Sequence, residues 1–149
     1  MLATLATLAA FASAAMAQAP KVEDIRVHLF YERSGILSED ITKTKPALFN
    51  IIIASGDELK EPANSFIAAV AITGKPSGFD DTDPVIVTVT DEKTRKKIIE
   101  RRFNAFLFDD KGRVVKPVFV EDKVCSPVRI VARNKAGTKS VVIPFRCGE

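Results

Sequence analysis

Alternation of apolar and polar residues is the feature of this sequence that most constrains its fold. The pattern is clearest in residues 25–31, IRVHLFY, and in residues 85–90, VIVTVT. Successive side chains of a strand point to opposite faces, so a period of two predicts a strand with one buried face. No long amphipathic helix is indicated after position 17. The sequence therefore predicts an all-β chain.

Turn-forming residues divide the chain into about seven to eight short strands. Residues 48–54, LFNIIIA, form a continuous apolar run that suits a central strand, and residues 66–73 give another strand between two loops rich in Gly, Pro, Asp and Ser. Residues 109–112, DDKG, predict a hairpin turn. We expect an antiparallel immunoglobulin-like β-sandwich, although strand number alone does not distinguish it from a closed barrel.

Residues 91–108 allow two interpretations. Thr90 could cap a helix, Asp91 and Glu92 suit its first turn, and the apolar residues that follow have helical spacing. The segment nevertheless follows a clear strand, and residues 103–108 alternate as a strand does. We favour a long hairpin whose turn lies in residues 92–95.

The first seventeen residues, MLATLATLAAFASAAMA, contain no charged side chain and end in the small-x-small pattern Ala15-Met16-Ala17. An apolar run of this length with such an ending is typical of a secretory signal peptide. The run falls short of the roughly 20 residues that span a bilayer. We expect residues 1–17 to be a cleaved signal peptide, residues 18–149 to be a single domain, and the protein to be periplasmic or secreted.

Composition leaves few side chains for chemistry. The chain has one His, one Tyr, two Cys and no Trp, and its formal net charge is +3. No motif for a metal, a nucleotide or a catalytic nucleophile is present, so we predict no enzymatic activity, no metal and no cofactor. The small net charge implies a polyanionic partner only where the charge is clustered.

The two cysteines flank the last predicted hairpin, which has strands at residues 128–133 and 140–145 and a turn at residues 134–137. In a hairpin the residue numbers of opposite positions have a constant sum. A turn of four or five residues gives a sum of 271 or 272 here. The numbers of Cys125 and Cys147 add up to 272, so the two cysteines are expected to lie opposite each other. Neither C-x-x-C spacing nor accompanying histidines suggest a redox or metal site. In an oxidising compartment the pair predicts a structural disulfide.

His28 and an aspartate-rich loop are two further candidates for chemistry. His28 is predicted to lie on the outer side of the first strand, and no G-x-S-x-G motif accompanies it. Asp80, Asp81 and Asp83 crowd one loop, but their spacing is not that of an EF-hand. An aspartate before a proline is common in turns. We interpret His28 as an exposed strand residue and the aspartates as turn residues.

The run KTRKKIIERR, residues 93–102, is the most unusual feature because it contains six cations and only one acid. Its formal charge of +5 exceeds that of the whole chain. Lipid headgroups or an acidic protein face would be attracted to it, and export argues against nucleic acid. The simpler interpretation is a solvated edge that prevents aggregation of the sheet. The candidate binding residues are Lys93, Arg95, Lys96, Lys97, Arg101 and Arg102.

These observations favour an exported, non-enzymatic binding module that recognises an anionic envelope component or an acidic protein through the basic run. A small periplasmic hydrolase that uses His28 with a carboxylate is one alternative, and a structural envelope or assembly subunit is another. A cleft at His28 with a hydroxyl and an acid within reach would favour the hydrolase. A long unpaired apolar edge strand would favour the subunit. The prediction includes neither nucleic acid binding nor integral membrane insertion.

Overall fold

The computed structural model describes residues 19–44, 47–49, 52–54, 63–121 and 126–146. These residues form short and long strands and one helical turn: β1 (Lys21–Tyr31), β2 (Ile36–Leu37), α1 (Ile41–Thr44), β3 (Ala47–Phe49), β4 (Ile52–Ala54), β5 (Ser65–Thr73), β6 (Phe79–Asp80), β7 (Val85–Asp91), β8 (Lys97–Phe103), β9 (Phe106–Leu107), β10 (Arg113–Val120), β11 (Val128–Asn134) and β12 (Gly137–Ile143). The predicted all-β class is confirmed. Within these ranges no helix is long and apolar enough to cross a membrane.

The longer strands build two four-stranded antiparallel sheets. Sheet 1 has the order β10-β5-β1-β2, and sheet 2 has the order β12-β11-β7-β8. Two smaller pairs, β3-β4 and β6-β9, complete the described strands. Buried side chains from both large sheets belong to one cluster, so the sheets share a single hydrophobic core.

The alternation that predicted β1 also determines which of its side chains are buried. From Ile25 to Tyr31 every second residue faces the core, as expected for a strand with one solvated side. A bulge between Val22 and Asp24 shifts the register by one position. Because of this bulge Val22, at an even position, is buried on the same side as the odd-numbered core residues.

Sheet 2 follows the same rule. Val87 and Val89 of β7 lie opposite Ala132 and Ile130 of β11, and all four side chains are fully buried. Complete burial of a side chain such as Val or Ile stabilises a fold by roughly 1.5–3 kcal/mol. Ile86, between the buried Val85 and Val87, lies on the outer face of the sheet.

The structure differs from the sequence prediction at residues 48–54. This run was expected to form a central strand, whereas β3 and β4 are two short strands that pair with each other in antiparallel order. Neither belongs to a four-stranded sheet in the described part of the chain. Both short strands are apolar, and hydrophobicity alone does not show where one strand ends and the next begins.

A second correction concerns residues 109–112. The predicted turn is present, with the Gly112 N–H donating to the Asp109 carbonyl at 3.0 Å, but it does not join two paired strands. Instead β9 pairs with β6 and β10 pairs with β5. Alternation and turn signals define where a strand lies, but they do not define its partner.

Two hairpins were predicted correctly in their pairing, although the second strand of the last one spans residues 137–143 and not 140–145. β7 and β8 form the hairpin favoured over a helix, and β11 and β12 form the last hairpin. In the latter Asn134 is opposite Gly137, so paired positions sum to 271, the lower of the two expected values. Cys125, Cys147 and the proposed signal peptide lie outside the described residues.

The four sheet edges differ in how they are covered. At the β1 edge the Leu29 N–H donates to Ser38 Oγ at 2.9 Å and the Val27 N–H to Asp40 Oδ1 at 3.1 Å, so side chains extend the ladder that β2 begins. β12 lies against β1. In the described ranges β8 pairs only with β7, and β10 only with β5. The open edges therefore belong to β8 and β10.

Candidate functional site

Asp91 organises the turn that carries the first three cations of the basic run, Lys93, Arg95 and Lys96. Its Oδ1 accepts the N–H of Lys93 at 2.9 Å and that of Thr94 at 2.8 Å, and its carbonyl accepts the N–H of Arg95 at 2.9 Å. The bond from the Thr94 N–H lowers the pKa of Asp91 below its ordinary value. The turn backbone is thus fixed, while Lys93 and Lys96 are exposed.

Glu92 balances two of the positive charges near this turn. It accepts two hydrogen bonds from Arg129, at 2.8 and 2.9 Å, and one from Arg95 at 3.0 Å. The hydrogen bonds and charge of Arg129, with a smaller contribution from Arg95, lower the pKa of Glu92. Arg95 itself has a φ of 61°, which is unusual for a residue other than glycine. Lys93 and Lys96 are the turn residues whose charge is least balanced.

The rest of the basic run lies on β8, and the strand register divides it between two faces. Lys97 is opposite Thr90 and Arg102 is opposite Ile86, which places both on the outer face of sheet 2. Lys97 forms an ion pair with Glu100 at 3.3 Å. Arg101 is opposite the buried Val87 and therefore lies on the core-facing side. The six predicted residues do not form one continuous surface.

Arg133 joins Arg102 on the outer face of sheet 2. Both are opposite Ile86, one from β11 and the other from β8. Neighbouring strands are about 4.8 Å apart, so the two arginine Cα atoms lie about 10 Å apart. We call Arg102 and Arg133, which lie on either side of Ile86, the arginine row.

Neither guanidinium of the arginine row forms an ion pair with a carboxylate in the ranges that the structure describes. Arg102 Nε donates to Asn104 Oδ1 at 2.8 Å, which orients the side chain without neutralising its charge. Both arginines are exposed. The arginine row is therefore the least balanced pair of cations on this face.

Sequence reasoning missed Arg133, although a signal for it existed. Residues 129, 131 and 133 share one parity, and the apolar residues 128, 130 and 132 share the other. This alternation places Arg133 on the outer face of its strand. Its proximity to Arg102 depends on the pairing of β7 with both β8 and β11, which no local pattern specifies.

Beyond the arginine row, the outer face of sheet 2 carries the ion-paired Lys97, Glu100 and Arg129 and is otherwise uncharged. Its β12 side chains carry no charge, and the middle row of the sheet presents hydroxyl and aliphatic groups beside Glu100. These uncharged outward residues are Thr88, Thr90, Val131, Thr138, Ser140 and Val142.

Arg101 lines a groove between the two open sheet edges. This inter-sheet groove has a volume of about 540 Å³ and is bounded by β8 on one side and by β10 and Glu121 on the other. Its lining combines apolar side chains, including Ile98, Ile99 and Val120, with the charged side chains of Arg101 and Glu121. Arg101 is thus removed from the outer basic surface and belongs to this groove.

His28, which was predicted to be exposed, is half-buried and lies near the Ser38 hydroxyl and the Asp40 carboxylate. Its Nδ1 lies 2.9 Å from the backbone carbonyl of Ser38, to which a protonated Nδ1 would donate. The Ser38 hydroxyl accepts the Leu29 N–H and donates to the Glu39 carbonyl at 2.7 Å. A nucleophilic serine would instead donate to the imidazole. The ring and the hydroxyl attach this segment to β1.

Asp40 is held in the same segment by backbone and hydroxyl donors. Its Oδ1 accepts the N–H of Val27 and of Thr42, each at 3.1 Å, and the Thr42 hydroxyl at 2.7 Å. Burial raises the pKa of Asp40, but these bonds and the nearby His28 outweigh it, so the pKa is lowered overall. The carboxylate caps α1 and supports the edge of β1.

Two carboxylates of the aspartate-rich loop accept hydrogen bonds, one within the loop and one from a distant turn. Asp80 Oδ1 accepts the N–H and the hydroxyl of Thr82, both at 2.9 Å. Asp83 is buried, and its two oxygens accept the N–H of Lys135 at 3.1 and 3.3 Å. In the part of the chain that the structure describes, no group of three or more His, Cys, Asp or Glu residues is placed to hold a metal ion.

Comparison of the chain with models of protein families and with curated proteins found no match.

Proposed function

We propose that this protein is an exported, non-enzymatic binding module that recognises an anionic partner through the arginine row and the basic turn. The observation that carries the proposal is the arginine row itself. Arg102 and Arg133 come from different strands, are both exposed, and are not joined to a carboxylate by any ion pair in the described ranges. Because neither charge is neutralised by a carboxylate in the described ranges, both guanidinium groups are available to a ligand.

We further propose an immunoglobulin-like sandwich architecture. The long strands β1, β5 and β10 belong to one sheet, and β7, β8, β11 and β12 belong to the other. The chain crosses between the sheets after β5, after β8 and again after β10. Repeated crossing of this kind is typical of immunoglobulin-like sandwiches, which supports the assignment.

The chemistry of the arginine row favours phosphate or carboxylate groups. A guanidinium presents several donors in a planar fork that fits such anions in a bidentate manner, whereas lysine acts as a point charge. Two anionic groups about 10 Å apart would reach both arginines across Ile86. Lys93 and Lys96 would add longer-range attraction at the other end of β8. The partner class is an anionic envelope component or an acidic protein surface.

Two observations support the remaining parts of the proposal. The Ser38 hydroxyl and the Asp40 carboxylate are engaged by backbone groups, which supports a structural role for the His28 neighbourhood. The uncharged residues 1–17 and their Ala-x-Ala ending support export to the periplasm or medium. The mass of the exported protein tests the latter, because cleavage would leave Gln18 as the first residue.

The binding proposal is tested with two charge-reversed double variants and a polyanion. The test variant is Arg102→Glu with Arg133→Glu, and the matched control is Lys75→Glu with Lys139→Glu, which makes the same change in net charge at two other exposed positions. Retention on immobilised heparin and sedimentation with phosphatidylglycerol vesicles are measured across a salt series. Salt screens such contacts, so wild-type binding should weaken steeply as ionic strength rises.

We expect the control to bind like the wild type and the arginine-row variant to lose at least tenfold in affinity. Neutral phosphatidylcholine vesicles should bind none of the three proteins. Equal binding by the two variants would show that net charge alone, and not the arginine row, attracts the probe. That result, or the absence of wild-type binding to both anionic probes, would disprove the proposal.

A further inference from the structure

The edge of β8 is open over its full length. The outer edge of β1 is taken up by β2 and by the Ser38 and Asp40 side chains, and β12 lies against β1. The edge of β10 is open too, but Pro117 in this strand has no N–H for a ladder. β8 contains no proline. Of the described strands in the two four-stranded sheets, β8 alone therefore offers a long and uninterrupted edge to an added strand.

This open edge is positively charged. β8 contains Lys97, Arg101 and Arg102 but only one acid, Glu100. Glu100 is already engaged by Lys97, and neither arginine forms an ion pair among the residues that the structure describes. The exposed Lys96 directly precedes the strand. Cations without a carboxylate partner therefore lie toward both ends of the edge.

A strand added to β8 would have different surroundings on its two faces, because successive side chains alternate between them. On the outer face its side chains would lie beside Arg102 at one end and near Lys96 at the other, which favours acidic residues toward both ends. On the inner face they would lie over the inter-sheet groove, where Arg101 and Glu121 accompany apolar side chains. That mixed lining favours uncharged residues, such as threonine, which offer both a methyl and a hydroxyl group.

Two other kinds of added strand suit this edge poorly. Full antiparallel overlap with β8 of a second copy would place the two Glu100 carboxylates opposite each other and gather four arginines along one seam. Like charges in such positions destabilise a sheet. A purely apolar strand would cover Arg101 without neutralising it, which is also costly. The charge of the edge instead favours a strand that carries acids.

We propose that the anionic partner is an acidic protein and that an extended segment of it binds by adding a strand to the open edge of β8. In strand addition the main-chain hydrogen bonds supply affinity and the alternating side chains supply specificity. A carboxylate on the outer face of the added strand would lie beside Arg102 and so extend the arginine row across a further strand. This inference rests on the proposed function and specifies how its partner is held.

Three capped peptides, each as long as the seven residues of β8, test the proposal. The first has glutamate at both ends and threonine between them, because threonine favours strands. The second has the same side chains but is N-methylated at two adjacent central residues. Neighbouring N–H groups of a strand point to opposite edges, so this change blocks both edges of the peptide without altering its charge. The third has lysine in place of glutamate.

We expect the unmethylated glutamate peptide to bind and the lysine peptide not to bind. Methylation should weaken binding by about tenfold or more, since several hydrogen bonds are lost at once. The contact is small, so fluorescence anisotropy titrations extend to about 1 mM peptide. Amide hydrogen exchange followed by NMR locates the peptide, and exchange should slow in β8 and remain unchanged in β10.

Equal affinity for the methylated and unmethylated glutamate peptides would overturn strand addition, because charge alone would then account for binding. Binding without slower exchange in β8 would overturn it as well, and so would the absence of binding by the glutamate peptide. The heparin and vesicle measurements separate this failure from that of the proposed function. If the arginine row binds those probes while the peptide test fails, only strand addition is wrong. If the protein binds neither the anionic probes nor the peptide, both proposals are wrong.

Discussion

Glu92 accepts two hydrogen bonds from the guanidinium of Arg129 and thereby ties the turn of the β7-β8 hairpin to β11. The two bonds measure 2.8 and 2.9 Å, and the Glu92 N–H also donates to the Pro127 carbonyl at 2.8 Å. A carboxylate that meets arginine in a bidentate manner forms one of the stronger polar contacts in proteins. The turn is attached to the neighbouring strand through both its backbone and a side chain.

We predict that Glu92→Gln lowers the urea midpoint of unfolding at neutral pH and that the difference from wild type disappears in acid. The folded-state pKa of Glu92 is lowered, so its contribution to stability is present above the unfolded pKa of about 4.3 and is lost as the pH falls through the folded value. Urea titrations at pH 7 and pH 3 measure this. The control Glu100→Gln, in an exposed ion pair, should change little.

Asp40 provides a second prediction, on helix capping and edge support. Asp40→Ala removes the acceptor for the Val27 and Thr42 N–H groups and should cost about 1–2 kcal/mol of unfolding free energy, as lost caps do. Asp40→Asn keeps an oxygen acceptor and should cost less. A similar loss in both variants would show that the charge, and not the acceptor, stabilises the segment.

Local patterns predicted the strands of this protein better than they predicted its site. Alternation located β1 and β7 because burial of one face is a local property of each strand, and the flanking loops located β5. The arginine row was not accessible in this way, since Arg102 and Arg133 are 31 positions apart in the sequence and meet only through β7. The bulge in β8 between the partners of Val89 and Thr90 also shifts the faces of the basic run.

Gly112 and Gly35 form a matched pair for a third prediction. Their φ values are 73° and 72°, so alanine pays the same left-handed penalty of about 1 kcal/mol at each site. A Cβ on Gly35 would meet open space, whereas a Cβ on Gly112 would collide with the Gly74 carbonyl oxygen. Gly112→Ala should therefore destabilise the fold by about 1–3 kcal/mol more than Gly35→Ala. Equal losses in chemical unfolding would contradict the close approach.

The predicted bond between Cys125 and Cys147 is the fourth testable point. A loop of this length contributes roughly 3 kcal/mol in the chain-entropy model, so reduction should lower the melting temperature by several degrees without unfolding the protein. Thiol titration of the exported protein under denaturing, non-reducing conditions should find no free thiol. Two free thiols would disprove the bond.

The last prediction concerns the charges that point inward at the two open edges. Lys116 of β10 is opposite the buried Val70, and its Nζ lies 6.0 and 5.6 Å from the ring centroids of Phe103 and Phe106. Arg101 occupies the corresponding core-facing side of β8. Inward-pointing charges on edge strands prevent pairing with other chains, because burying them without a partner is costly. Pro117, next to Lys116, has no N–H to offer an added strand.

Lys116→Val with Pro117→Val should therefore convert β10 into an aggregation-prone edge. Light scattering at 37 °C is expected to rise with time for this double variant. Arg113→Val, which removes a cation from the outward side of the same strand, serves as the control and should remain clear. The variant should melt at or above the wild-type temperature, because valine suits a strand better than lysine or proline. Loss of solubility without loss of stability would assign Lys116 and Pro117 together to protection of the edge. If the double variant stays as soluble as the control, the two residues do not have this role.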